Sequence, residues 1–188
     1  MTDTDGVTDS WLTVPNAFTV ARLLLLAPCC YLILSGATGW WPVVILAVWA
    51  ATDWVDGFLA RRLHQVSRLG KTLDPIADRL GISAVVFCLA WVGALSWWAV
   101  GIIVGVDVAV LALAGPAAHR GELGVTWLGK VRTAVMFFAI VGIVAATSQV
   151  LPVGTISHVL LWIGLALHII AGTGYILWAQ GLRQGRAA

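Results

Sequence analysis

A chain of 188 residues that is 60% hydrophobic and 11% charged, with eleven tryptophans, is not a soluble domain of ordinary composition; it reads as a polytopic membrane protein. The formal net charge of +2 says little by itself, and no nucleic-acid partner is expected. Cys29 and Cys30 are adjacent and Cys88 stands far off, which offers neither a disulfide framework nor a metal spacing, so the three are read as small apolar fillers.

A membrane-crossing helix needs about 20 apolar residues. Six stretches qualify: 17–35, 40–60, 73–95, 97–115, 128–149 and 156–178. The expected fold is therefore all-α and integral to the membrane, one polytopic domain over residues 1–188 with six transmembrane helices and a short N-terminal leader. The leader carries Asp3, Asp5 and Asp9 but no basic residue, so it lacks the basic start of a cleavable signal peptide and is expected to be retained. Arg61, Arg62, Arg68 and Lys71 fall between spans two and three; Arg120, Lys130 and Arg132 between four and five; Arg183 and Arg186 close the chain. The opposite connections contain no lysine or arginine, so the positive-inside rule puts the basic side and both termini in the cytoplasm.

Pro15 and Asn16 suit the start of the first helix. Span two opens on Trp40 and Trp41 as an outer aromatic anchor, and Trp54 marks its inner edge. The stretch 53–78, across the end of span two and the start of span three, holds four aspartates. On a helix Asp53 and Asp56 share a face with Gly57 and Ala60, and Asp74 and Asp78 share a face of the next helix. If the faces meet, four carboxylates converge, and in a membrane protein such a cluster persists only when something cationic holds it. Oxygen donors without histidine or cysteine favour Mg²⁺ or Mn²⁺, ions that keep positions open for phosphates. Gly57 and Ala60 remove bulk beside the acids, and Arg61 can offer a fixed charge to a phosphate. The competing reading is a solvated Asp/Arg-rich loop, but the acids and small residues keep helical register.

Within the linker that follows, His64 has no histidine or cysteine nearby and reads as a solvated loop residue. Asp74-Pro75 opens span three, with the proline in the first turn. Arg79 points about 100° away from Asp78 and is expected to anchor at the interface. Span four starts at Trp97-Trp98 and contains Asp107, on the level of the other acids. It is expected to line the same cavity, the alternative being a structural partner for a buried basic or hydroxyl group. At the entrance of span five, Lys130 and Arg132 can hold an anionic acceptor or anchor the helix at the membrane surface. His158 and His168 of span six read as hydrogen-bonded packing residues.

Asp53, Asp56, Gly57, Ala60, Arg61, Gly70, Asp74 and Asp78 fill every position of D-x-x-D-G-x-x-A-R-x8-G-x-x-x-D-x-x-x-D, so the chain resembles the CDP-alcohol phosphatidyltransferase family. The resemblance implies transfer of a phosphatidyl group from CDP-diacylglycerol to an alcohol with release of CMP. It implies Asp53, Asp56, Asp74 and Asp78 around one or two Mg²⁺ or Mn²⁺ ions, with Asp74 and Asp78 in catalysis and Asp78 as candidate base. Gly57, Ala60, Arg61 and Ser67 would approach the CDP-lipid. Pro15, Asn16, Thr19 and Arg22 match the family's P-N-x-x-T-x-x-R, which adds Asn16 and Thr19 to the nucleotide contacts; Arg22 is either a further contact or a snorkelling anchor, and Pro28 falls one residue late.

Gly129 to Thr133 resembles the G-K-x-K-T run of phosphatidylglycerophosphate synthases, which puts glycerol 3-phosphate first among acceptors and Asp107, Arg120, Lys130 and Arg132 around it. Residues 67–80 also resemble cardiolipin synthases, for which phosphatidylglycerol is the acceptor. Those relatives carry Arg-Glu or Arg-Asp where this chain reads Val106-Asp107, so the acceptor stays open. A homodimer among membrane lipids is implied as well. A divalent-cation transporter is the alternative from another class, but its pathway would need polar groups across the whole bilayer, whereas here the acids crowd one end.

Overall fold

A computed structural model describes the backbone of residues 7–8, 14–63, 66–119 and 126–185, and the side chains of 20–52, 77–113 and 126–181. Six helices follow one another: α1 Val14–Leu34, α2 Trp41–Leu63, α3 Arg68–Trp91, α4 Trp97–His119, α5 Trp127–Thr147 and α6 Gly154–Gly185. Each apolar stretch of the sequence lies on one of them. The helices outrun the stretches at the basic end: α2 continues to Leu63, α3 begins at Arg68 and α6 reaches Gly185. Pro75 consequently lies seven positions into α3 (75 − 68 = 7), not in its first turn as expected. A helix satisfies its own backbone hydrogen bonds in hydrocarbon and in water alike, so a change in polarity marks a membrane edge and not a helix end.

Among the described residues, Trp127–Thr147 and Gly154–Gly181 are long and apolar enough to cross a membrane, and α1, α2 and α4 contribute the shorter apolar segments Val20–Leu34, Trp41–Thr52 and Trp97–Leu113. The fold is not wholly strand-free. Two two-residue strands, β1 Val7–Thr8 and β2 Val66–Ser67, pair in parallel with Val7 opposite Val66 and Thr8 opposite Ser67. An extended leader needs partners for its backbone groups, and the turn between α2 and α3 supplies them.

The helices close into a ring: α1 packs on α2 and α3, α3 on α4, α4 on α6, α6 on α5, and α5 returns to α2. The core runs through Val86 and Leu89 of α3, Ile103 of α4, Ile143 of α5 and Leu161 and Leu165 of α6, all buried. Close helix approach rests on small residues. A Cβ at Gly164 would lie 2.8 Å from Met136 Cγ on α5, and one at Gly172 would meet Val106 on α4. The end of the ring opposite the basic linkers is tied by the Gly39 amide donating to Ser148 O at 2.8 Å and by His158, whose ring nitrogens lie 2.8 Å from Gly154 O and 3.0 Å from Ala94 O. His158 is thus hydrogen-bonded, as expected, but its side chain is exposed rather than packed in the core. Cys29 and Cys88 are buried free thiols and Cys30 is half-buried, in keeping with apolar fillers.

Candidate active site

Trp49 of α2 reaches Gly81 of α3, a contact between the two aspartate-bearing helices. Trp49 is buried, and a Cβ added at Gly81 would clash with Cζ2 of its indole. Helices α2 and α3 are joined by the short segment 64–67, so positions can be counted from this contact toward that segment along each helix. Asp53 follows Trp49 by four residues and Asp78 precedes Gly81 by three, which puts them about 6 and 4.5 Å along the axes toward the same end. Asp56 and Asp74 are each seven residues from the contact, both about 10.5 Å along. The side chains of Asp53, Asp56 and Asp74, and those of Asn16, Thr19, Gly57, Ala60, Arg61 and Ser67, lie outside the described residues. So do Arg120 and His64.

The described member of the acid set is Asp78. Its Oδ1 accepts from Arg22 Nη1 of α1, and the arginine is 2% exposed against 36% for the aspartate. An arginine this deep in an apolar helix is retained only with charge partners. Arg22 therefore belongs beside Asp78, and the alternative of a snorkelling anchor is set aside.

Directly after Asp78, Arg79 turns to the other side of α3. Its Nε lies 3.7 Å from Asp107 Oδ1 on α4, with side-chain exposures of 32% and 15%. The expected interface anchor is thus an ion-pair partner inside the bundle, because an unpaired aspartate in α4 would be costly and Arg79 is within reach. Asp107 correspondingly has the partner that the sequence left open for it. His168 of α6 stands 3.8 Å from the same Oδ1, too far for a hydrogen bond. Its Nε2 is 3.2 Å from Ile103 O on α4, and its Nδ1 is 3.1 Å from Arg132 Nη1 on α5. Arg79, Asp107, Arg132 and His168 thus form one polar cluster drawn from four helices.

The start of α5 is built with care for its backbone. Thr126 caps it, its Oγ1 accepting from the Gly129 amide at 3.1 Å, and Tyr175 Oη of α6 stands 3.3 Å from that Oγ1. Tyr175 was not foreseen, since a lone tyrosine in an apolar stretch carries no spacing signal. Lys130 is exposed and Arg132 half-buried, so of the predicted basic pair only Arg132 turns into the bundle. Val106, where relatives were expected to carry arginine, packs against Gly172 instead. Among the described residues no three metal-ligating side chains cluster.

The family model for CDP-alcohol phosphatidyltransferase matches residues 12–170. The chain is 38% identical over 171 residues to a putative cardiolipin synthase of Mycobacterium bovis, covering 89% of this chain and 79% of the relative. It is 31% identical over 182 residues to the CDP-diacylglycerol–glycerol-3-phosphate 3-phosphatidyltransferase of Bacillus subtilis, covering 86% and 92%. The Escherichia coli enzyme of the same name is 33% identical over 136 residues, covering 68% and 74%. A family match that begins before α1 and runs well into α6 takes in both aspartate-bearing helices and the polar cluster behind them: the chain belongs to the CDP-alcohol phosphatidyltransferase family.

Proposed function

We propose that the chain transfers a phosphatidyl group from CDP-diacylglycerol to an alcohol and releases CMP. The spacing of four aspartates along α2 and α3 supports this reading: counted from the contact of Trp49 with Gly81, Asp53 and Asp78 are four and three residues away and Asp56 and Asp74 seven each. In the reaction the acceptor hydroxyl oxygen attacks the phosphorus that bears the diacylglycerol. The bond from that phosphorus to the bridging oxygen breaks, CMP leaves, and the hydroxyl proton passes to Asp78. Arg22 holds Asp78 by one oxygen and so fixes where that carboxylate stands. Gly57 and Ala60 leave room for the diphosphate, and Arg61, Ser67, Asn16 and Thr19 contact the nucleotide.

The donor set, four carboxylates on two helices at matched levels, suits one or two Mg²⁺ or Mn²⁺ ions held by Asp53, Asp56, Asp74 and Asp78. Such an ion supplies charge neutralisation on the diphosphate and orientation of the leaving group. All six helices cross the membrane in this reading, with the acids and both termini on the cytoplasmic side and two copies forming a homodimer.

Glycerol 3-phosphate is the leading acceptor. Lys130 and Arg132 stand at the entrance of α5, and Arg132 Nε is buried without a hydrogen bond among the described residues, a donor suited to a phosphate oxygen. Phosphatidylglycerol, giving cardiolipin, is the second reading. It is favoured by the pairing of Arg79 with Asp107, which cancels one positive charge near Arg132 and suits a singly charged phosphodiester. The test supplies purified protein with CDP-diacylglycerol and each acceptor in turn and identifies the lipid product by mass. Phosphatidylglycerophosphate is the expected product and cardiolipin would establish the second reading. Divalent-cation flux into liposomes without nucleotide turnover would replace both with a transporter.

A further inference from the structure

The hydrogen bonds of His168 determine its protonation state. Arginine has no acceptor, so Nδ1 must accept from Arg132 Nη1 at 3.1 Å; a backbone carbonyl has no hydrogen to give, so Nε2 must donate to Ile103 O at 3.2 Å. The ring is therefore the neutral Nε2–H tautomer. It is 2% exposed and fastened to α4 through Ile103, so its Nδ1 lone pair is a fixed point inside the ring of helices. Arg132 depends on that point: its Nε is buried with no hydrogen bond among the described residues, and Nη1 is the atom by which it is held.

We infer that His168 is a positioning residue for the acceptor. Its Nδ1 orients the Arg132 guanidinium so that the remaining donors face the acceptor's phosphate. This rests on the reading of Arg132 as an acceptor contact. The shared chemistry is a phosphate group, carried by either glycerol 3-phosphate or phosphatidylglycerol. His168 does not touch the reacting atoms, and its effect falls on acceptor affinity before it falls on turnover.

The amide side chains separate the two nitrogens. In His168→Asn the amide oxygen occupies the place of Nδ1 and keeps the bond from Arg132; in His168→Gln the amide nitrogen occupies the place of Nε2 and keeps the bond to Ile103 instead. CMP release is measured in detergent at saturating CDP-diacylglycerol, with glycerol 3-phosphate and then phosphatidylglycerol varied. Loss of an orienting hydrogen bond to a charged group corresponds to a rise in acceptor KM of about tenfold, expected in His168→Gln and His168→Leu with kcat changed far less. His168→Asn stays within about twofold of the parent. The acceptor whose KM responds is the source of the phosphate. An unchanged KM in His168→Gln and His168→Leu, an equal rise in all three variants, or a loss confined to kcat overturns the inference. Arg132→Gln separates the two levels: if it raises acceptor KM while no His168 variant does, the His168 inference alone falls, and if it leaves acceptor KM unchanged, the acceptor reading of Arg132 falls with it.

Discussion

Arg22 of α1 and Asp78 of α3 form an ion pair in which the arginine is almost fully buried and the aspartate opens outward. The asymmetry suits a carboxylate that must be held and yet be reached. It also ties α1, which carries no acid among its described residues, to Asp78.

Breaking the pair from the arginine side leaves a carboxylate without its orienting charge and a cavity in α1. Because Asp78 is partly exposed, the expected cost of Arg22→Ala is about 2 kcal/mol, below the range for fully buried pairs. Thermal unfolding in detergent reads the loss, and CMP release falls further than the folded fraction does. Arg22→Lys recovers part of both. An Arg22→Ala protein as stable and active as the parent would remove the pair from the account.

The contact between Trp49 and Gly81 joins the two aspartate-bearing helices closely, so it is expected to resist enlargement. Gly81→Ala places a methyl group where the indole stands and costs about 1–3 kcal/mol by overpacking. Trp49→Leu relieves that clash, so the double variant is more stable than the sum of the single losses predicts. Thermal unfolding of the four proteins of the cycle gives the coupling. Strict additivity would mean that the two residues do not touch.

Much of this was legible in the sequence, and for a physical reason. Hydrocarbon demands long apolar runs, so six helices could be counted from hydropathy, and the eight matched positions of residues 53–78 pointed to the family without coordinates. The helix ends were not legible, since the stretch 68–72, with Arg68, Lys71 and Thr72, is too polar for hydrocarbon and still helical. Nor was the destination of the isolated polar residues. Arg79 reads as an anchor because it lies near a membrane edge, and only the packing of α3 on α4 reveals Asp107 within reach. The tautomer of His168 follows from two partners on other helices, 36 and 65 residues away, which no local spacing encodes.

Gly57 tests whether the small residues of the motif serve the ligand or the helix packing. A glycine within a helix costs about 1 kcal/mol relative to alanine, so its use beside Asp56 points to a need for close approach. Gly57→Leu is expected to remain folded in detergent while CDP-diacylglycerol binding weakens strongly, and Arg61→Ala weakens it through a lost phosphate contact. A Gly57→Leu protein with lowered thermal stability whose folded fraction binds the lipid as tightly as the parent would make Gly57 a packing residue.

Asp107 and Arg79, with Oδ1 and Nε 3.7 Å apart, are expected to show a coupling of about 1 kcal/mol in a double-mutant cycle of Asp107→Asn and Arg79→Gln. Unfolding in detergent measures it. Zero coupling would separate Arg79 from the polar cluster.

The most direct test of the acid site follows CMP release and CDP-diacylglycerol binding together in Asp78→Asn. The substitution keeps the size of the side chain and removes its capacity to take a proton. The predicted result is loss of CMP release with lipid binding largely intact, while the parent loses the same activity when a chelator strips divalent cations and regains it on adding Mg²⁺ or Mn²⁺. Full CMP release from Asp78→Asn would contradict the account, because the carboxylate held by Arg22 would then have no part in the transfer.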